Sequence, residues 1–358
     1  MTNSFEALFG RGSKKDEGKK TAAQEKGADA PEKEGSGLEK ATSIKKEISE
    51  ITQGRSLEDL SQDDLNAVLA KYKEMEIALG LPEAEPKGDI REQMLRAKEI
   101  MREDFFAAEQ IEKAFGIKVK PEQIPEIPFK REDLERAKEL GQFLILRVDK
   151  ANDGKPLTMA KMNELLKGKV KDGTKALYSD DGSGKIGDDS WYKGEDFALK
   201  ETPKLSWSLT SKEVISNSPN KNYLDQTAEI VNYLKNDVFK GKEVPTEFQN
   251  AIAEFEKAKG EIAKLMNDDW KKAAEKLEGL AITKLTRQTP AEALYDIFIY
   301  FQNKGERLLE NMYTWTSRRA SGGRLVNVGR FDAVGACVFS LTPDDSVGLL
   351  GVAFSRSL

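Results

Sequence analysis

Three pairs of adjacent carboxylates are the first residues in this chain that could perform acid–base chemistry. They are Glu195-Asp196, Asp268-Asp269 and Asp344-Asp345. General acid–base catalysis by carboxylates requires two of them in one cleft, with pKa values held apart by their surroundings. Sequence spacing does not show a shared cleft, and the chain has 62 acidic residues in all. We therefore interpret these pairs as solvated faces.

The segment 179–190 resembles a calcium-binding loop of the EF-hand type. Asp181 and Ser183 fall at the third and fifth positions of such a loop, and a glycine follows at the sixth, where the chain must turn sharply. The first and twelfth positions are serines, so two main oxygen ligands are missing. Asp188 could substitute only with a different geometry. We predict a polar surface loop without metal, with calcium binding by Asp181, Ser183 and Asp188 as the competing hypothesis.

The chain contains no histidine and a single cysteine, Cys337. Without histidine there is no histidine general base, no Ser-His-Asp or Cys-His nucleophile and no histidine-ligated zinc. One cysteine excludes an intrachain disulfide and a cysteine metal cluster. No cation stands next to Cys337 in the sequence to activate its thiol. We therefore predict a protein that is not an enzyme and has no cofactor, and a carboxylate-based hydrolase is the disfavoured alternative.

Residues 313–358 alternate between two kinds of position. Tryptophan, valine, glycine and phenylalanine recur as a regular frame, whereas Arg330 and Phe339 stand among small and polar residues in no surface pattern. A regular frame with arbitrary side chains between its positions is what a displayed binding surface would look like. An ordinary buried C-terminal hairpin is the competing interpretation.

This segment resembles the variable region of target proteins that are diversified by diversity-generating retroelements. Four stretches carry the resemblance: Trp315-Thr316-Ser317, Gly329-x-Phe331, Pro343-Asp344 and Leu350-Gly-Val-Ala-Phe-Ser-Arg356. The resemblance is tight over about the last 45 residues and looser upstream to about residue 128. Proteins of this family end in a C-type-lectin-like domain, which is related to the formylglycine-generating enzyme fold.

The resemblance implies a non-enzymatic ligand-binding protein with a hypervariable surface that retroelement mutagenesis diversifies. The ligand would be a protein or another macromolecule, so the function would be a protein–protein interaction or a similar contact. Formylglycine-generating enzymes work through active-site cysteines, and a chain with one cysteine cannot carry over that activity. The positions that we expect on the displayed surface are Ala320, Ser321, Arg324, Asn327, Arg330, Asp332, Ala333, Cys337, Phe339, Leu341, Asp345, Ser346 and Leu349.

The sequence pattern divides the chain into four parts and favours an α+β fold. Residues 1–38 have few large apolar groups and are predicted to be a disordered tail. Residues 39–118 have a helical period and are predicted to be a small α-helical module. Three prolines in residues 119–128 indicate a linker or an extended strap. Residues 129–358 form the predicted C-type-lectin-like ligand-binding domain, with its variable region at about 315–358. Within this domain, an apolar run at 143–148 predicts a buried strand.

The net charge of −5 gives no indication of a nucleic-acid partner. No apolar run approaches the ~18 residues that a membrane span requires, and no signal peptide is visible. We therefore predict a cytoplasmic protein without membrane insertion, with export by another route left open. The alternative function is a structural or assembly protein, in which the helical module forms a homo-oligomer and the C-terminal domain is inert.

Overall fold

The computed structural model describes residues 34–53, 90–187 and 190–357, together with isolated positions between 61 and 75. The protein is a mixed α and β structure, 49% helical and 17% strand, in agreement with the predicted class. Its contacts divide the chain into two compact units, residues 1–86 and 87–358. Of the helices in the described part of the chain, none is long and apolar enough to cross a membrane.

The helices of the described residues are α1 Glu34–Thr52, α2 Ile90–Met101, α3 Ala108–Phe115, α4 Arg131–Glu139, α5 Met159–Leu166, α6 Asp196–Leu199, α7 Tyr223–Tyr233, α8 Thr246–Asp268, α9 Trp270–Gly279, α10 Ala281–Thr286 and α11 Pro290–Lys304. The strands are β1 Phe105–Phe106, β2 Gln142–Arg147, β3 Ser206–Val214, β4 Tyr313–Arg319, β5 Leu325–Asp332, β6 Gly335–Leu341, β7 Leu350–Gly351 and β8 Ala353–Arg356.

The strands form two four-stranded sheets. The first has the order β1-β2-β3-β8 and the second has the order β6-β5-β4-β7. Strands β4, β5 and β6 are an antiparallel meander, and β7 joins the meander parallel to β4. Strand β8, which follows β7 after one residue, pairs instead with β3 in the first sheet. The closing run of the chain therefore belongs to both sheets.

Local sequence signals explain two central elements. All six residues of β2 are buried, which confirms the buried strand predicted at 143–148. Helix α11 begins at Pro290, where the missing N–H is tolerated because the first turn of a helix has no partner for it. Thr289 accepts a hydrogen bond from the backbone of Glu292, whose side chain accepts one in return from the backbone of Thr289. This capping box fixes the start of a helix whose residues are mostly buried.

In the first unit, α1 contributes the two isoleucines of a small apolar cluster, Ile44, Ile48 and Val68. Lys71 forms ion pairs with Glu47 and Glu74, both at 2.8 Å. Helix α1 begins at Glu34, within the segment 1–38 that was predicted from composition to be disordered, and residues 1–33 of that segment lie outside the described residues.

The two units meet at residues 86–87, within the predicted helical module 39–118. Residues 90–118 belong to that predicted module, but they pack into the same core as β2 and α11. Strand β1 pairs with β2, and the ring of Phe106 contacts those of Phe143 and Tyr300. The Pro-rich segment 119–128 is a strap over this core, because the indole of Trp207 donates a hydrogen bond to the Pro125 carbonyl at 2.9 Å.

A buried ion pair joins the first sheet to α11. Arg147, at the end of β2, donates from Nε to Oδ1 of Asp296 at 3.0 Å, and its Nη2 donates to the other carboxylate oxygen. The same nitrogen donates to Thr210 on β3 and to Ser355 on β8, at 3.2 and 3.0 Å. Gln288 donates to Asp296 at 2.7 Å. Burial raises the pKa of Asp296, and the neighbouring guanidinium opposes that shift.

We expect Asp296→Ala to lower the free energy of unfolding by about 3 kcal/mol, because buried Arg147 would lose its bidentate partner and keep only Glu292, 3.5 Å away, as a counter-charge. Glu135→Ala is the matched control, since it removes the acid of the exposed Arg131–Glu135 pair and should leave stability unchanged. Chemical denaturation of both variants measures the difference. Equal effects of the two substitutions would contradict the role given to the buried pair.

Candidate functional site

The structure places the thirteen predicted surface positions in three classes of exposure. The exposed positions are Ser321, Arg324, Arg330, Ala333, Phe339, Ser346 and Leu349. The half-buried positions are Asp332, Cys337, Leu341 and Asp345. The prediction of a displayed side chain is wrong for the remaining two, since Ala320 is only 9% exposed and Asn327 only 1%.

Both corrections have a physical cause. Ala320 closes the turn between β4 and β5, where its N–H donates to the Arg324 carbonyl at 2.8 Å and its side chain packs into the core. Asn327 lies on the central strand β5 directly opposite Trp315, so the two side chains share one face of the sheet. A core cluster that includes Trp315 and Leu325 covers this end of the face. Alternation along a strand predicts exposure only where one face meets solvent.

Residues of the predicted frame lie in the core. Trp315, Val328, Phe331, Val352 and Phe354 are all buried. Phe331 packs edge-on against Phe301 of α11, with ring centroids 5.2 Å apart. The frame and the arbitrary positions of this segment are therefore separated in space as well as in sequence, apart from the two corrections.

Four of the predicted surface residues line one pocket of about 460 Å³: Arg330, Asp332, Cys337 and Phe339. These residues come from β5 and β6, and Tyr313 of β4 adds to the same wall. The opposite wall is formed by residues 178–180 and 190–192, which are more than a hundred positions away in the sequence. No motif or spacing in the sequence links these two segments.

The distant wall is fixed to the edge strand β6 by backbone hydrogen bonds. Leu177 and Ala336 form a parallel bridge, and the N–H of Tyr178 donates to the Ala336 carbonyl at 2.9 Å. The indole of Trp191 donates to the Val338 carbonyl at 2.9 Å. Gly335 has a φ of 115°, and a Cβ at that position would overlap the backbone of Leu177. A glycine is thus required for the two segments to approach so closely.

Large apolar side chains are exposed at the mouth of this pocket. Tyr178, Trp191, Val334 and Phe339 are 46%, 42%, 54% and 52% exposed. Clustered exposed apolar side chains around a concave site are typical of ligand-binding surfaces. Tyr178 and Trp191 lie outside the predicted variable region, and no local sequence signal brings them to β6.

The backbone at Arg330 is in an unusual conformation. Strand β5 has a register shift between Gly329 and Asp332, and Arg330 has a φ of 47°, in the left-handed region that disfavours side chains. Its N–H donates to the Met312 carbonyl at 2.8 Å, so the neighbouring chain holds the conformation in place. Bulges of this kind re-aim a side chain at the edge of a functional site.

Two polar groups that line the pocket, Tyr313 and Cys337, have raised pKa values. Burial, followed by the neighbouring Cys337 thiol, raises the pKa of Tyr313 to about 12, and Arg330 opposes the shift. Burial also raises the pKa of the Cys337 thiol. A thiol with a raised pKa is a poor nucleophile, because the thiolate is the reactive form. The Cys337 thiol is therefore poorly suited to nucleophilic chemistry at neutral pH.

The paired carboxylates have structural partners. Glu195 accepts hydrogen bonds from the N–H and the hydroxyl of Ser321, at 2.8 and 2.7 Å. Asp269 caps α9 by accepting from the Lys272 N–H. Asp345 accepts from the N–H and the hydroxyl of Thr342, which closes a turn before β7. These contacts stabilise turns and a helix start.

The acidic loop after Leu177 is closed by its own hydrogen bonds. Asp181 accepts a hydrogen bond from the Ser183 N–H at 2.8 Å, and this bond lowers the pKa of Asp181. Asp188, the third predicted calcium ligand, lies outside the described residues. In the part of the chain that the structure describes, no three acidic or cysteine side chains are grouped so that they could hold a metal ion.

Comparison of the chain with protein-family models, with curated proteins and with solved structures found no match.

We expect Cys337 to react with iodoacetamide more slowly than a free cysteine at neutral pH. Because the pKa of the Cys337 thiol is raised, a smaller fraction of it is thiolate at neutral pH. The alkylation rate should therefore increase with pH, and the midpoint of that increase should lie above the pKa of free cysteine. Mass spectrometry of the alkylated chain measures this rate at one site, because there is one cysteine. The same chain in urea is the control, and a midpoint equal in both states would contradict the expectation.

Proposed function

We propose that this protein binds a macromolecular ligand through a C-terminal surface that a diversity-generating retroelement diversifies, without enzymatic activity. Residues 129–358 would form a C-type-lectin-like domain in this proposal, with residues 90–128 packed against it. One observation carries it above all others. The frame residues of the C-terminal segment are buried, whereas Arg330, Asp332, Cys337 and Phe339 converge on one aromatic pocket.

This separation is what a diversified binder requires physically. Buried residues determine stability, and substitutions at exposed positions away from special contacts change stability little. Variation can then alter recognition while the fold stays intact. With Ala320 and Asn327 removed, eleven of the predicted surface positions remain in the proposed variable set.

The composition of the pocket favours a protein ligand. Tyrosine, tryptophan and arginine are the residues that most often dominate the energy of protein–protein contacts, and they do so in partly enclosed pockets. Tyr178, Trp191, Tyr313 and Arg330 all line this one. Arg324, another arginine of the predicted surface, lies at the turn between β4 and β5 and is not among the residues that line the pocket.

Sequencing of the locus tests the diversification directly. We expect a second, near-identical copy of the segment that encodes Trp315 to Leu358, next to a reverse transcriptase gene. The two copies should differ only where the second copy has adenines, and the differences should fall in codons of the eleven retained positions. If the locus has no such copy, the diversification proposal is wrong and the C-terminal segment is an ordinary hairpin of unknown function.

A pair of phenylalanines tests whether frame and surface are separable in the protein itself. Phe339→Ser should change the free energy of unfolding by no more than about 0.5 kcal/mol, because that side chain is half exposed. Phe331→Ser should cost at least about 3 kcal/mol, because it leaves a cavity against α11. Denaturant titration of both variants gives the comparison, and a large loss for Phe339→Ser would place it in the frame.

A further inference from the structure

Arg330 is the one cationic side chain among the described residues that line the pocket. Other arginines of this segment have carboxylate partners: Arg318 pairs with Glu201 and Arg319 pairs with Glu278, each at 2.7 Å. No carboxylate of the described residues lies within ion-pairing distance of Arg330, which is exposed. Its charge is therefore unmatched within this part of the protein.

The position of Arg330 is held at a conformational cost. A φ of 47° is unfavourable for a residue with a side chain, and such strain persists only where the surrounding structure enforces it. Here the Met312 carbonyl receives the Arg330 N–H, and a Cβ on the preceding Gly329 would overlap the same backbone. Strained residues of this kind cluster at ligand-binding positions, where the strain fixes a functional side chain.

Two acidic residues also line the pocket, and each accepts a hydrogen bond from a neighbouring residue. Asp180 accepts a hydrogen bond from the Tyr178 hydroxyl at 2.9 Å. Asp332 accepts one from the Val334 N–H, also at 2.9 Å. Arg330 lies beside the phenol of Tyr313 and has no carboxylate partner among the described residues, so it is the group of the pocket that can pair with an anionic group on the ligand.

Aromatic side chains surround the space in front of Arg330. Tyr178 and Trp191 stand on one wall and Phe339 on the other, and the indole hydrogen bond to Val338 fixes the orientation of Trp191. A ligand seated among these apolar side chains would displace water from Arg330, which strengthens a charge-assisted hydrogen bond between a guanidinium and a carboxylate. The planar guanidinium can also bind both oxygens of a carboxylate at once.

We propose that this pocket recognises a carboxylate that stands beside an aromatic or aliphatic group on a partner protein, and that Arg330 binds the carboxylate. This inference rests on the proposed ligand-binding function and adds to it the chemical class of the contact. The apolar neighbour of the carboxylate would pack between Trp191 and Phe339. The partner segment is therefore an exposed loop or a chain terminus with an acidic group next to an apolar side chain.

Three small probes with the same phenyl group and three-carbon chain test this chemistry on the full chain. They are 3-phenylpropionate, 3-phenylpropanamide and 3-phenylpropylamine, which are anionic, neutral and cationic at pH 7. Titration followed by the NMR signal of the Trp191 indole N–H, assigned with Trp191→Phe, gives each dissociation constant. We expect the propionate to bind about tenfold more tightly than the amide, and the amine to bind most weakly.

Two matched substitutions assign the effect to one residue. Arg330→Gln should abolish the preference for the propionate, whereas Arg324→Gln removes the same charge at the turn between β4 and β5 and should leave the preference unchanged. Arg330→Gly is a second test that does not depend on a strained backbone, because glycine accepts a φ of 47°. It should lose the preference while the free energy of unfolding stays the same or rises.

The proposal would be overturned if the amine bound most tightly, if the three probes bound equally, if none bound at millimolar concentration, or if Arg330→Gln kept the preference. The outcome of the locus test is independent of the outcome of these titrations. A diversified locus with no propionate preference would refute the carboxylate contact alone. A propionate preference without a repeat at the locus would refute diversification and leave a binding pocket of fixed sequence.

Discussion

The buried pair of Arg147 and Asp296 is the interaction on which most of the second unit depends. Arg147 contacts β3 and β8 through Thr210 and Ser355, so one guanidinium connects three strands of the first sheet to α11. The opposite charges must be buried together, because either one alone would be strongly unfavourable in the core. The register of the sheet and the position of α11 are therefore set jointly.

Helix α11 connects the buried ion pair to the second sheet through side-chain packing. Its residues Phe298 and Phe301 pack edge-on against Phe331, with ring centroids 6.1 and 5.2 Å away. Phe331 follows Arg330 directly in β5, so the packing of one residue positions the backbone of the other. The closing run reinforces the arrangement, because the hydroxyl of Ser218 accepts from the Val352 N–H and that of Thr314 accepts from the Ala353 N–H. The strained residue at the pocket is thus next to one of the most tightly packed residues of the core.

In the proposed function, one wall of the pocket would keep a constant sequence and the other wall would vary. The wall from residues 178–192 lies outside the proposed variable region, whereas the wall from β5 and β6 lies inside it. Variation at Arg330 or Phe339 would then change the chemistry of one wall, and the aromatic residues of the other would supply a constant apolar contact. A constant contact of this kind supports binding to many ligands, since apolar packing is less directional than hydrogen bonding.

The sequence by itself determined which chemistries are absent, since a chain without histidine and with one cysteine lacks the groups for them. It also located β2 and the frame of the C-terminal segment, because these follow from an apolar run and from regularly recurring large apolar residues. Only the tertiary structure decided that residues 90–118 join the main core and that Asn327 is buried. It also brought Tyr178 and Trp191 to the pocket that Arg330 lines. These facts depend on which face of a strand another element covers and on contacts between distant segments, and neither leaves a local pattern in the sequence.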